Sequence, residues 1–237
     1  MSMWQGACHI LIYELRKTRW GFLGSLFLAL YLAIIGGMLF HLDETLVLTA
    51  DYWAIDFVFL TTLPCLGFVL NHTNMFYWRN DTFSGKLAEW RILPISLPQL
   101  IWGRLMQIVV ILLPMQIIFF LIQYFLVDGM KETISPGAYL LFGLCWFLYS
   151  LGMAATYAIW EYGYSGKTYV IVCFLYCVFY LLLTFLLSVN DISIVQSLLR
   201  GLENGEWWYL LVALLISIVG IAVSFMILKR RLETRSF

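Results

Sequence analysis

Residues 100–127 read LIWGRLMQIVVILLPMQIIFFLIQYFLV, twenty-eight positions with a single formal charge, Arg104. About 20 predominantly apolar residues carry an α-helix across the ~30 Å hydrocarbon core of a bilayer. This stretch is longer than that, so its start, with Arg104 and Gln107, is expected in the headgroup zone, and Pro114 is expected to bend the helix further in. A barrel strand is excluded, because the run is apolar on every side, lacks alternation and far exceeds the roughly 9–11 residues such a strand needs.

Five more runs share this character: Phe22–Phe40, Trp53–Leu70, Ala138–Trp160, Tyr169–Ser188 and Trp208–Leu228. The sequence therefore predicts an all-α polytopic membrane protein, a single domain over residues 1–237. Its six transmembrane helices are expected at about 21–40, 52–70, 98–127, 138–160, 168–189 and 207–228, by the length a crossing requires. Of 237 residues 62% are hydrophobic and 12% charged, whereas a soluble domain carries roughly 25% charged residues, which argues against a water-soluble globule. Zero formal net charge argues against a nucleic-acid partner and leaves membrane lipids as the surroundings.

Lys and Arg gather on the cytoplasmic side of membrane proteins. With the N-terminus inside, Arg16, Lys17, Arg19, Arg79, Lys86, Arg91, Arg104, Lys167, Lys229, Arg230, Arg231 and Arg235 fall in or near the cytoplasm, and only Lys131 and Arg200 fall outside. Both termini are then cytoplasmic, as an even number of spans requires. Met1–Arg19 has neither the continuous apolar core nor the cleavage pattern of a signal peptide, so the first run is kept as a membrane helix. Before that span Trp4, Cys8, Leu11 and Leu15 recur at spacings of four and three. They form the apolar stripe of an N-terminal amphipathic helix on the inner leaflet, or of a basic lead-in to the first span. In that span Ser25, Ala29, Ala33 and Gly37 recur every four residues; such a strip lets a second helix approach closely, either within the subunit or in a dimer interface.

Chemistry-bearing clusters are sparse. Cys8, Cys65, Cys145, Cys173 and Cys177 include no CxxC pair, and His9, His41 and His72 are far apart, so no metal or catalytic residue is predicted. Gly166-Lys167-Thr168 resembles the tail of a phosphate-binding loop, but Glu161 occupies the position of its first glycine and no strand precedes it. Asp56 and Glu161 lie near span ends, where reaching headgroup water is the expected role.

The connection 71–99, NHTNMFYWRNDTFSGKLAEWRILPISLPQ, is the most informative. Asn80, Asp81 and Thr82 are helix-starting residues, Lys86–Leu93 can form a short charged and aromatic helix, and Pro94 ends it. Ser96 and Gln99 have capping-box spacing for the next helix, with Pro98 in its first turn. The stretch Thr82–Ser96, with Gly85, Leu87, Glu89 and Leu93-Pro94-Ile95-Ser96, followed by Gly103-Arg104, resembles the motif of ABC-2 type permeases, the six-span membrane subunits of bacterial ABC exporters.

That resemblance implies a multi-pass permease of the bacterial plasma membrane that pairs with a second permease subunit, identical or related, and docks a cytoplasmic ABC ATPase dimer. Residues 71–99 would be the coupling loop, with Lys86, Leu87, Glu89, Trp90, Arg91 and Pro94 at the ATPase contact and residues 161–168 as a smaller one. No cofactor is implied in this chain; ATP and Mg would be bound by the partner ATPase. Ile192–Leu202 would be a short helix at the outer face. The cargo implied is hydrophobic or amphipathic, a peptide or antimicrobial. The competing readings are a non-transporting regulatory membrane protein and an intramembrane enzyme, the latter disfavoured by the absence of a paired acid and base within the spans.

Overall fold

The computed structural model describes residues 2–39, 52–69, 82–92, 95–127 and 130–234. Among them the chain forms helices only: α1 (Met3–Lys17), α2 (Arg19–Leu39), α3 (Tyr52–Cys65), α4 (Thr82–Ile92), α5 (Leu97–Leu126), α6 (Met130–Thr133), α7 (Pro136–Gly163), α8 (Gly166–Val189), α9 (Ile194–Glu203) and α10 (Trp208–Thr234). Five of these, α2, α5, α7, α8 and α10, are long and apolar enough to cross a membrane. The architecture is that of a helical, multi-pass membrane protein.

The second expected span is shorter than the sequence predicts. α3 has 14 residues, about 21 Å at 1.5 Å per residue, short of the hydrocarbon thickness. Pro64 lies at its last turn and has no N–H to give to the carbonyl of Leu60. The Tyr149 hydroxyl of α7 donates to that oxygen instead, at 3.1 Å. Beyond it the chain tightens, with Leu66, Gly67 and Phe68 N–H donating three residues back to Leu63, Pro64 and Cys65. Ser25 Oγ of α2 donates to the carbonyl of Phe68 at 3.0 Å.

Between apolar helices in lipid, association depends on close packing more than on expulsion of water. The α7–α10 pair shows this most clearly. A Cβ placed on Gly220 would lie 2.6 Å from Gly152 O, and one on Gly152 would lie 2.8 Å from Ile216 O, so the two backbones touch and any side chain would force them apart. One half of the bundle is filled by rings: Phe59 packs on Phe119 at 5.9 Å, Phe142 at 6.0 Å and Trp146 at 5.0 Å. The other half, nearer α1, is lined by Ile101, Leu105, Ile108, Ala154, Ala158, Tyr162 and Leu228. α8 and α10 present long apolar faces outward, including Phe174, Phe179, Phe185, Leu215 and Val219, as lipid-facing helices do.

α1 lies against the start of α5. Its capping box is complete, Ser2 accepting from Gln5 N–H and Gln5 accepting from Ser2 N–H. The buried face is Gly6, Ala7, Ile10 and Glu14, rotated from the expected stripe. Trp4 is exposed, Cys8, Leu11 and Leu15 are half-buried, and Trp4 leans on Trp102 with ring centroids 5.4 Å apart. The shift has a physical cause: Gly103 of α5 leaves room for Ile10, whose Cγ2 would stand 3.0 Å from any Cβ there.

Candidate functional site

The site grows from the end of the bundle that holds α1. α4 begins at Thr82, one of the expected helix-starting residues, and runs to Ile92, taking in most of the helix expected over Lys86–Leu93. Ser96 and Gln99 form the expected capping box of α5, with Gln99 Oε1 accepting from Ser96 N–H at 3.0 Å. α4 is seated on the bundle by two side chains one turn apart, Leu87 at 3% exposure and Trp90 at 8%, both in the core that α5, α7 and α10 build. Gly85 and Glu89 are on its exposed side. Residues 70–81, Leu93, Pro94 and the side chain of Arg91 lie outside the described residues.

Lys86 projects from α4 to α1 and pairs with Glu14. The Lys86 ammonium also lies over the Trp90 ring, 4.7 Å from its centroid. Burial pushes its pKa below the usual lysine value, and the Glu14 carboxylate opposes that shift. Shielding from water costs the ammonium more than Glu14 returns, so the pair fixes where α4 meets α1 rather than adding net stability.

Behind α4 stands a second pair, buried more deeply. Arg104 of α5 donates from Nε to Glu161 Oε2 at 3.0 Å and from Nη2 to Oε1 at 2.8 Å and Oε2 at 2.6 Å. Its Nη1 donates to Gln107 Oε1 at 2.8 Å. The guanidinium is flanked by the rings of Phe68, at 5.3 Å, and Tyr162, at 5.7 Å. Side-chain exposures of 7% for Arg104 and 1% for Glu161 place this fork in a low-dielectric setting, where planar two-point pairing is most favourable. Glu161 is therefore not a side chain reaching for headgroup water; it ties α7 to α5.

The connection expected over 161–168 is mostly helix: α7 continues through Gly163 and α8 starts at Gly166. Ser165 Oγ caps α8 by accepting from Thr168 N–H, which accounts for the Gly-Lys-Thr segment without a phosphate. Tyr164 accepts from Arg231 Nε at 3.0 Å and carries that guanidinium over its ring at 4.6 Å, so the end of α10 is fixed to the same end of the bundle.

The small-residue strip is occupied inside the chain. Ser25, Ala29 and Ala33 are at most 1% exposed, and a Cβ on Gly37 would lie 2.5 Å from Leu126. Its close approach serves α3 and α5 of the same subunit.

At the opposite end the expected short helix is α9, Ile194–Glu203. Asp56 of α3 is fully buried and caps it: Ser193 Oγ donates to Oδ1 at 3.0 Å, Val195 N–H to Oδ1 at 2.9 Å and Ile194 N–H to Oδ2 at 2.8 Å. Donors at a helix N-terminus are the usual partners of a carboxyl group placed there. At the other end of α9, Glu203 accepts from Ser135 N–H and Oγ, both at 3.1 Å, joining α9 to the start of α7. Asp56 thus serves a buried anchor rather than the headgroup contact its position suggests. No group of His, Cys, Asp or Glu able to hold a metal ion occurs among the described residues. Comparison with protein-family models, curated proteins and solved structures finds no match to the chain.

Proposed function

We propose that the chain is the membrane-spanning permease subunit of an ATP-driven exporter of the ABC-2 type, with ATP hydrolysed by a separate cytoplasmic partner. The observation that carries this reading is the seating of α4, held to the bundle by Leu87 and Trp90 and to α1 through Lys86 and Glu14. A helix pinned so firmly at one end of a membrane bundle, with Gly85 and Glu89 outward, suits the transfer of a push from a cytoplasmic ATPase. On this reading Lys86, Leu87 and Trp90 transmit the push, and Glu89, with Arg91, meets the partner.

The basic end is cytoplasmic in this proposal, as the distribution of Lys and Arg favours. α3 and its tightened continuation serve as the second of six crossings, and α1 lies at the inner interface with Trp4, Ile12 and Tyr13, which are exposed, toward lipid. The small-residue strip is used internally, so a second permease subunit would contact another face. The cargo is hydrophobic or amphipathic.

Isolation of the intact complex from native membranes, with identification of its components, tests the reading. A nucleotide-hydrolysing partner should co-purify, and Glu89→Lys should lower its recovery several-fold while the permease itself remains folded. Recovery of the chain without any ATPase refutes it.

A further inference from the structure

A cleft of about 410 Å³ opens between the second half of α5 and the first half of α7. Its walls include Ile117, Leu121, Leu140 and Leu144, with Phe120 and Gly143 deeper in. The volume falls in the roughly 300–1,000 Å³ range of small-molecule sites. Ile117, Leu121 and Leu140 are half-exposed or more, so the cleft faces the surroundings of the bundle and is reached from the lipid side.

Among the lining residues Tyr124 and Tyr139 carry hydroxyls and Gln116 carries an amide. Gln116 is 2% exposed, and its Nε2 donates to Ser150 Oγ at 2.8 Å. Its Oε1 is buried and has no hydrogen-bond partner among the described residues. Ser150 can serve only one end of the amide; if the amide were turned over, Nε2 would be the end left over. In a medium without water an unserved amide group costs several kcal/mol. The neighbouring cleft supplies space for a group that would relieve it.

We propose that this cleft binds a membrane-dissolved, single-chain amphiphile bearing a hydroxyl, such as a long-chain alcohol. The chain packs along Ile117, Leu121, Leu140 and Leu144, and the hydroxyl, which both donates and accepts, bonds the free end of the Gln116 amide after a small rotation of that side chain. The alternative occupant, an ordinary bilayer acyl chain, has no group for Gln116 and would be held no better than any surrounding lipid. The site belongs to the chain itself and stands independently of the exporter reading.

The test uses the full chain in lipid nanodiscs and a photoreactive hexadecanol carrying a diazirine along its chain. Mass spectrometry should place label on Ile117, Leu121 and Leu144, and unlabelled hexadecanol should compete about tenfold better than hexadecane, the factor expected of one hydrogen bond. Gln116→Leu should erase that difference. A Cβ at Gly143 meets Phe120 only at an ordinary 3.5 Å, so Gly143→Leu can point its branch into the cleft and should abolish labelling there. If Gly143→Leu fails to fold, Leu144→Trp blocks the cleft from its rim. Equal competition by hexadecane, or labelling untouched by the blocking variants, overturns the proposal and leaves only nonspecific lipid contact.

Discussion

Replacing Glu161 by Gln removes the counter-charge of a guanidinium that is 7% exposed and receives three contacts of 2.6–3.0 Å from that carboxylate. Gln107 and the Phe68 and Tyr162 rings also touch the guanidinium, and none of these three carries a negative charge. Removing one member of a buried pair costs about 3–5 kcal/mol, whereas replacing both by apolar residues of similar volume is often neutral. The expected pattern is therefore asymmetric. Glu161→Gln and Arg104→Met each lose about 3–5 kcal/mol, and Arg104→Met with Glu161→Leu recovers most of it. Reversible unfolding of the purified protein by sodium dodecyl sulfate, followed by circular dichroism, measures all three against the parent. A loss under about 1 kcal/mol for Glu161→Gln, or a double variant that loses the sum of the single ones, would refute the assignment of a dry, coupled pair.

Three further outcomes follow from the geometry. Gly220→Val should separate α7 from α10, since its Cβ would meet Gly152 O at 2.6 Å; a loss of about 1–3 kcal/mol in the same titration is expected, and an unchanged midpoint would contradict the contact. Asp56→Ala removes three hydrogen bonds from the start of α9 and should raise hydrogen exchange at Ile194 and Val195 by at least tenfold, the equivalent of about 1.4 kcal/mol; unaltered protection would show that α9 is held by packing alone. Glu14→Lys should release α4 from α1, seen as faster exchange across Thr82–Ile92, and Lys86→Glu introduced beside it should restore protection. Unchanged exchange in Glu14→Lys would mean that Leu87 and Trp90 suffice to hold the helix, and failure of the exchanged pair to restore protection would contradict a direct Lys86–Glu14 pairing.

Local signals in the sequence translated well into structure. Ser96 and Gln99 cap α5 as their spacing indicates, α4 occupies the stretch that follows Asp81, and the longest apolar runs became the longest helices. Each depends on residues within one or two turns, which is the range over which periodicity and capping carry information. Partners far apart in the chain were not legible. Glu161 meets Arg104 across 57 positions and Asp56 meets Ser193 across 137, and near a span end each carboxylate alone looks like a headgroup contact. α1 was misphased for a related reason: Glu14 marks a polar face on a helical wheel, yet Lys86, 72 residues later, lets it turn inward. The intrachain use of the Ser25–Gly37 strip was equally invisible, because small residues advertise closeness without naming the neighbour.

The anchoring of α9 by Asp56 also bears on how the protein is made. Synthesis proceeds from the N-terminus at roughly 5–20 residues per second, and Asp56 emerges 137 residues before Ser193. For on the order of ten seconds at those rates the chain holds a carboxyl group on an apolar helix with none of its final donors in existence. α3 must therefore be sheltered until the fourth long helix, α8, has been delivered and Ser193 follows it, so lateral release of the early helices and completion of the bundle are separated in time. A nascent chain halted before Ser193 should leave α3 in the custody of the insertion machinery, and the arrival of a ten-residue helix at the far end releases it.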